Sequence, residues 1–439
     1  MKKIFFTFIF IILLIVTIFT AVLSTIGLET NKFNNIIIDR ITENNLDTVV
    51  ELETVKFKLD FKELSLFLET INPKIKYKRI SIPVKKVKVY FDFVSLIKNS
   101  SQIKKINASL HELKISEVKE LFVLVKPSNF KSIVNNKINK GKINSEIEIY
   151  LDKGNTFKNF IAKGNVNNFN LNIYKDFNFE NGAFNFFADK SDILITNIFG
   201  NFEGVAISNG DLKLDLHSGI SINSNFYTEL KMKKNLMNNY LKIFKFDNFI
   251  NQPYDLQAQL NNNFYLSLDS TYKIKDFNFN SEGKIKNLKI QFHNSIENNF
   301  LKKPIDKVFI KDAEFKTQHN LKTNSTNISG KYSFYENELL KFDFKNETNF
   351  KGKSKLDLNL DFQNELNFEI INYQKIEGKK AKISLTLEKK RNEIFLKNFS
   401  LKEGNSVIKL EDLKIVKNEI SSFKKISVKT FKNKIYNNE

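Results

Sequence analysis

Leu356-Asp357-Leu358-Asn359-Leu360-Asp361-Phe362 alternates an apolar side chain with an acid or amide along its whole length. An extended chain turns successive side chains to opposite sides. Leu356, Leu358, Leu360 and Phe362 therefore share one face and the polar residues share the other. A helix would scatter both sets around its circumference, so the stretch reads as a strand with one apolar and one wet side. Working outward, Ile383, Leu385 and Leu387 repeat the pattern downstream. Upstream, Leu212, Leu214 and Leu216 alternate with Lys213 and Asp215, and Ile147, Ile149 and Leu151 with Glu146, Glu148 and Tyr150. Val87, Val89, Phe91 and Phe93 do the same against Lys88, Tyr90 and Asp92. From about Val49 onward the chain is written in period two.

Punctuation between these runs favours short connections. Asn181-Gly182 and Asn209-Gly210 have the composition of tight hairpin turns, and Gly154, Gly164, Gly283, Gly378 and Gly404 mark looser ones. Strands recurring every ~10 residues predict an antiparallel meander and not a βαβ pattern. Helical signals are few. Thr30-Asn31 caps a short amphipathic segment with Phe33, Ile37 and Ile41, Ser116 caps another through Val125, and Ser128 a third carrying Phe130, Ile133, Val134 and Ile138. Leu236, Tyr240, Ile243 and Phe244 fit one helical face within 231–250, and 295–309, broken by Pro304, fits neither period. These pieces are too short and scattered to cover an apolar sheet face.

The N-terminus differs in kind. Ile4 to Ile26 holds no charged side chain, and as a helix it is roughly 34 Å long, enough for the ~30 Å hydrocarbon core. The run exceeds the apolar core of a signal peptide, and Leu23-Ser24-Thr25-Ile26 lacks an Ala-x-Ala cleavage pattern, which predicts an uncleaved anchor. Lys2 and Lys3 precede it and Glu29 is the first charge after it, so the N-terminus is expected in the cytoplasm and the bulk of the chain across the membrane. The expected layout is an anchor over 1–28, a membrane-proximal mixed α/β region over 29–140, and a β-sheet region over 141–439.

Composition narrows the function. Cysteine is absent, which removes disulfides, thiol nucleophiles and cysteine metal sites. The net charge is +20, yet Arg occurs only at Arg40, Arg79 and Arg391. Lys, Asn, Ile and Phe are enriched together, as in AT-rich coding, and phosphate readers favour Arg, so nucleic acid is not an expected partner. Attraction to anionic headgroups is the functional reading of the lysines, and solvated strand faces the plainer one. His111, His217, His293 and His319 are widely separated, with His217 best read as a turn residue. No Gly-x-Ser-x-Gly, Gly-x-Gly-x-x-Gly or phosphate-binding Gly-x-x-x-x-Gly-Lys-Ser/Thr motif occurs. No catalytic residue, cofactor or metal ligand is expected.

Three coverings satisfy a sheet with one apolar face: a second sheet, closure into a barrel, or lipid in a trough. A helical anchor argues against an outer-membrane barrel, as does the lack of Trp. The sandwich and the trough remain. The residues alone leave both open; the trough reading is a mainly β chain with an N-terminal transmembrane helix, then a long antiparallel meander curled into an elongated apolar groove with a few short helices. Val87, Val89, Phe91, Phe93, Ile147, Ile149, Leu212, Leu214, Leu216, Leu356, Leu358, Leu360, Phe362, Ile383, Leu385 and Leu387 would line it.

At Gly27-Leu28-Glu29-Thr30-Asn31-Lys32-Phe33-Asn34 the chain resembles the start of AsmA-like proteins of Gram-negative bacteria, with Gly27, Thr30, Phe33 and Asn34 carrying the junction pattern. Phe184 to Thr228, through Ile195, Ile198, Gly200, Gly204, Ile207, Gly210, Leu212 and Gly219, is similar to that family's core, and Leu385 to Thr430 to its later layers. The resemblance favours the trough: it implies an elongated, groove-bearing β-sheet in an inner-membrane-anchored periplasmic protein, related to bridge-like lipid-transfer proteins. Its expected role is phospholipid movement between the two membranes and envelope integrity. The membrane and phospholipids are the expected partners. Many such proteins are longer, whereas this chain finishes in polar Phe431 to Glu439, so an outer-membrane or periplasmic protein is expected at the distal end. The alternative is a non-transporting envelope scaffold or outer-membrane assembly factor with a sandwich-type core.

Overall fold

The structure, a computed structural model, describes residues 2–31, 34–44, 47–63, 65–91, 103–124, 126–127, 129–152, 156–174, 177–217, 219–233, 250–269, 271, 273–335, 338–390, 393–417, 419–432 and 435–438. The protein is mainly β. Among the described residues, 24 strands follow one another as hydrogen-bonded neighbours in one antiparallel sheet, with two small satellite sheets. Most neighbours in the sheet are neighbours in sequence, which is the meander the short connections predict.

Helix α1 (Lys2–Thr25) is the one helix, among the described residues, long and apolar enough to cross a membrane. It ends because Gly27 takes a left-handed conformation (φ 80°), and the amides of Ile26 and Gly27 both donate to the carbonyl of Val22 at 3.0 and 2.9 Å. A side chain at Gly27 would collide with Lys58, whose Cγ lies 2.6 Å from where a Cβ would sit.

By Cα proximity the chain divides into two compact units, Met1–Gly200 with Leu214–His217, and Asn201–Lys213 with Ser218–Glu439. In the first, the strand Leu28–Thr30 leaves α1 and pairs with Val55–Asp60. That strand pairs in turn with Ser65–Ile71, then Val84–Phe91, then Ile103–Leu110, then Ile138–Leu151 and Phe157–Tyr174. Helix α2 (Asn34–Asn44) and a three-stranded sheet of Thr48–Glu51, Lys74–Tyr77 and Ile80–Ile82 form a separate small layer. In the second unit, antiparallel pairs run from Ile220–Lys233 through Ile250–Leu268 and onward to Lys425–Lys432 and Ile435–Asn438.

Several local expectations change. Helix α2 begins at Asn34, beyond Thr30-Asn31, because Leu28–Thr30 is held in the sheet. Helix α3 (Ile115–Leu121), continued by a 3-10 turn over Phe122–Leu124, is capped from Lys114 and not from Ser116: the Glu117 carboxylate accepts the Lys114 amide at 2.6 Å. Helix α4 (Asn129–Lys137) stops before Ile138, which starts a strand. Most of the segment 231–250 and all of Phe93, Phe33 and Gly154 lie outside the described residues; strands extend to Lys233 and resume at Ile250. The ambiguous 295–309 region contains the end of one strand at Ile296 and the start of another at Ile305.

Asn181-Gly182 and Asn209-Gly210 are not hairpin turns. Both lie inside strands, Phe177–Ala188 and Val205–Asp215, with Asn181 and Asn209 at φ 52° and 50°. A left-handed residue within a strand makes a bulge, and Asn and Gly tolerate it for the same reason that they suit turns. Gly164 and Gly283 are also mid-strand: a Cβ there would sit 1.9 Å from the Asn144 carbonyl oxygen and 2.0 Å from that of Gln259. Gly378 and Gly404 do occupy positive-φ turns.

Candidate functional site

The pairing registers assemble the alternating residues into continuous apolar surfaces. In the first unit, Leu68 lies opposite Val89 and Thr70 opposite Val87; Val89 lies opposite Ile106 and Val87 opposite Ala108. Those two meet Ile149 and Ile147, which continue to Phe160 and Ala162. Side chains directly opposite in an antiparallel pair share a face, so Val87, Val89, Ile147 and Ile149 belong to one surface. Phe91 joins it through Leu66 and Ile103, across a register shift.

This face is roofed near its start. Ile37 of α2, Val50, Leu52, Pro73 and Ile75 stand over Val55, Leu68, Thr70, Val87, Val89, Phe91, Ile103 and Ile106, and a partly open cavity of about 340 Å³ lies between the two sets. Thr70 is the one polar residue lining it; its Oγ1 has no hydrogen-bond partner, and the residue is 9% exposed. The junction residues hold this region together. Asn34 Nδ2 donates to the carbonyls of Leu52 (3.2 Å) and Glu53 (3.1 Å), tying the start of α2 to the layer, and Thr30 pairs with Val55 on the cavity wall.

The opposite face of the same strands is charged but not open. Glu69 accepts from Lys58 at 2.7 Å and lies 3.6 Å from Lys86; Lys105 pairs with Glu63 and stands 4.6 Å over the Tyr90 ring. Burial pushes the Glu69 carboxyl up, but the hydrogen bond and charge of Lys58, with Lys86 and Lys88 behind it, hold it below its usual value. Its hydrogen bond to Glu148, at 2.7 Å, is the first cause that pushes the Tyr150 hydroxyl up to about 12.

The second unit carries longer rows. Leu260, Gly283, Phe315, Ile328 and Phe344 are successive register partners. From Phe344 the row passes to Leu358, Leu385, Phe399, Leu410 and Ile426. A parallel row contains Phe342, Leu360, Ile383, Leu401, Ile408 and Val428. On the other flank, Asn262, Ser281, Thr317, Thr326 and Asn346 form a polar row in register. Beyond Asn346 that row becomes apolar, through Leu356, Leu387, Leu396 and Leu413. Leu356, Leu358, Leu360, Ile383, Leu385 and Leu387 are half-buried, and Phe362 is buried.

Phe362 is buried because a segment between two strands folds back on the face. The hairpin Leu366–Phe368 with Tyr373–Lys375 packs Leu366 and Tyr373 against Phe362, Leu401 and Ile408, leaving Leu401 0% exposed. Phe300 stacks on Phe368 at 4.9 Å between ring centroids, and Leu301 bridges to Leu366. Lys375 locks this cap: it is 0% exposed, and its Nζ donates to the carbonyls of Gln363 (2.8 Å), Asn364 (3.0 Å) and Ile376 (3.2 Å). Burial pulls its ammonium below the usual lysine value. Tyr373 donates to Glu403 at 2.7 Å, and burial, then that carboxylate, push the phenol up.

The remaining candidates sit apart. Leu212 and Leu214 are half-buried on one side of Val205–Asp215. Leu216 is 40% exposed and lies past the strand end, where its amide donates to the Ser191 carbonyl; the alternation overruns the ladder there. Leu68, Ile103 and Ile106 were not legible as lining. Leu66-Phe67-Leu68 hides period two because Phe67 turns to the other face to stack on Tyr90 at 5.0 Å, and a register shift separates Ile103 from Ile106. No grouping of His, Asp and Glu suited to a metal ion occurs among the described residues. Comparison with family models, curated proteins and solved structures finds no match to this chain.

Proposed function

We propose that the protein is an inner-membrane-anchored periplasmic protein that takes lipid acyl chains onto the apolar face of its sheet. In this role it supports phospholipid transfer between the inner and outer membranes and envelope integrity. The reading follows the resemblance to AsmA-like proteins. The observation that carries it is the unbroken apolar row from Phe344 through Leu358 and Leu385 to Ile426, half-buried along most of its length and exposed at Ile426. Apolar burial is worth ~0.8 kcal/mol per methylene, so a chain leaving the bilayer for such a face keeps most of its solvation. No nucleotide-binding loop supplies energy, and a smooth lining favours sliding. Lysines across the sheet from the apolar side keep the wet face soluble, and headgroups project to water.

A photo-crosslinking residue at Leu358 or Leu214 is expected to capture phospholipid in cells. Capture of protein alone at both positions sinks the reading. A second reading, a non-transporting scaffold, is favoured by the cap over Phe362 and Leu401, which covers one margin of the face with protein. Native mass spectrometry of the purified chain separates the two: the lipid reading expects co-purified lipid and the scaffold reading none.

A further inference from the structure

We infer that the cavity beneath α2 seats a single acyl chain, with the Thr70 hydroxyl donating to that chain's carbonyl oxygen. The inference rests on the lipid-binding reading above and assigns one site on that face its ligand. Three observations lead to it. The cavity lies between two protein layers and opens on one side, and at about 340 Å³ it is at the small end of ligand pockets, which run roughly 300–1,000 Å³. Such a volume receives one chain and leaves the second chain and headgroup of a diacyl lipid outside.

The lining is the second observation. Every residue around the cavity is aliphatic, aromatic or Pro except Thr70. Valine has the shape of threonine without its hydroxyl, and the neighbours of Thr70 across the sheet, Val55 and Val87, are both Val. A buried hydroxyl without a partner destabilises the fold, and in native proteins such groups call for an explanation. Rotation about the Thr70 Cα–Cβ bond carries Oγ1 to another of its three staggered positions, from which the hydroxyl bonds a carbonyl in the cavity. The third observation is position. Thr30, on the strand that follows α1 directly, pairs with Val55 on the cavity wall. The site is therefore one strand pairing from the segment that emerges from α1.

A free fatty acid and one chain of a phospholipid both present an acyl carbonyl. The test incubates the full chain, in detergent, with a diazirine-bearing palmitic acid or a diazirine-bearing diacylphosphatidylglycerol, and maps adducts by peptide mass spectrometry. Adducts are expected on 65–71, 84–91 and 103–106 with at least one probe, and the productive probe identifies the source of the chain. Leu68→Trp, which fills the cavity, is expected to cut labelling there at least ten-fold. The near-isosteric Thr70→Val is expected to cut it about five-fold, the size of one neutral hydrogen bond. Labelling undiminished in Leu68→Trp overturns the site, and labelling undiminished in Thr70→Val overturns the role of the hydroxyl. Adducts on 353–362 report the wider face independently. If those are absent while the cavity labels, the face reading fails and this site stands; the reverse pattern sinks this site alone.

Discussion

The apolar face of the first unit and that of the second are built from the same alternation and end up covered in opposite ways. Over Val87 and Val89 a separate layer, α2 with three short strands, stands off far enough to leave about 340 Å³ empty. Over Phe362 and Leu401 a short insertion, Leu366 to Lys375, packs directly onto the face and leaves Leu401 0% exposed. Two apolar faces with equal periodicity therefore differ in what they can admit. Periodicity says which side of a strand is oily; it says nothing about the distance of the next layer.

Leu→Ala substitutions test this difference most directly. Leu401→Ala removes a side chain packed on all sides and is expected to cost about 4 kcal/mol, whereas Leu68→Ala, at a half-buried side chain beside existing empty space, is expected at the low end, about 2 kcal/mol. Chemical denaturation of the full chain, read by hydrogen exchange in each unit, measures both; equal costs would break the contrast. Next in size, Lys375→Ala leaves three carbonyls without their donor and is expected to destabilise the cap by ~3 kcal/mol. Faster exchange over 363–380 with the first unit unchanged would register it, and a crosslinker at Leu360 should then capture more lipid.

Acid distinguishes the two regions more gently. The folded-state value of Glu69 lies below its unfolded value near 4.5. Its contribution is therefore present above pH 4.5 and is lost as the pH falls through the lower folded value. Protection against exchange in the strands 55–60, 65–71 and 84–91, taken relative to the intrinsic amide rate at each pH, is expected to fall on acidification below pH 4.5, and Glu69→Gln to remove that fall. The smallest effect belongs to Lys397, paired with Asp412 at 3.0 Å on the exposed face of the second unit. Lys397→Ala should change stability by no more than ~0.5 kcal/mol, since solvent screens such pairs. A loss of several kcal/mol would mean that the wet face is more than a solvated surface.

The strand identities were legible because solvation alone enforces them: Leu356 and Asp357 cannot both face oil. The N-terminal helix was legible for the same reason, as the uncharged run from Ile4 to Ile26 is long and apolar enough to cross a membrane. Less could be read where a residue's local preference fits two geometries. Asn181-Gly182 satisfies a turn and a bulge equally, and only the pairing of Val166 with Phe184 and Phe169 with Gly182 resolves it. Lys375 was invisible as a structural residue, since a lysine among lysines gives no sign that three carbonyls 1–12 positions away will surround its ammonium.

What the order of residues determined by itself was the local choice at each position: extended or helical, oily side or wet side. Those choices depend on neighbours one or two positions away and on water. What tertiary structure alone decided was the covering of each face, the hollow beneath α2 against the close cap over Leu401. That outcome depends on contacts between residues tens of positions apart, such as Leu301 with Leu366, which no local pattern encodes.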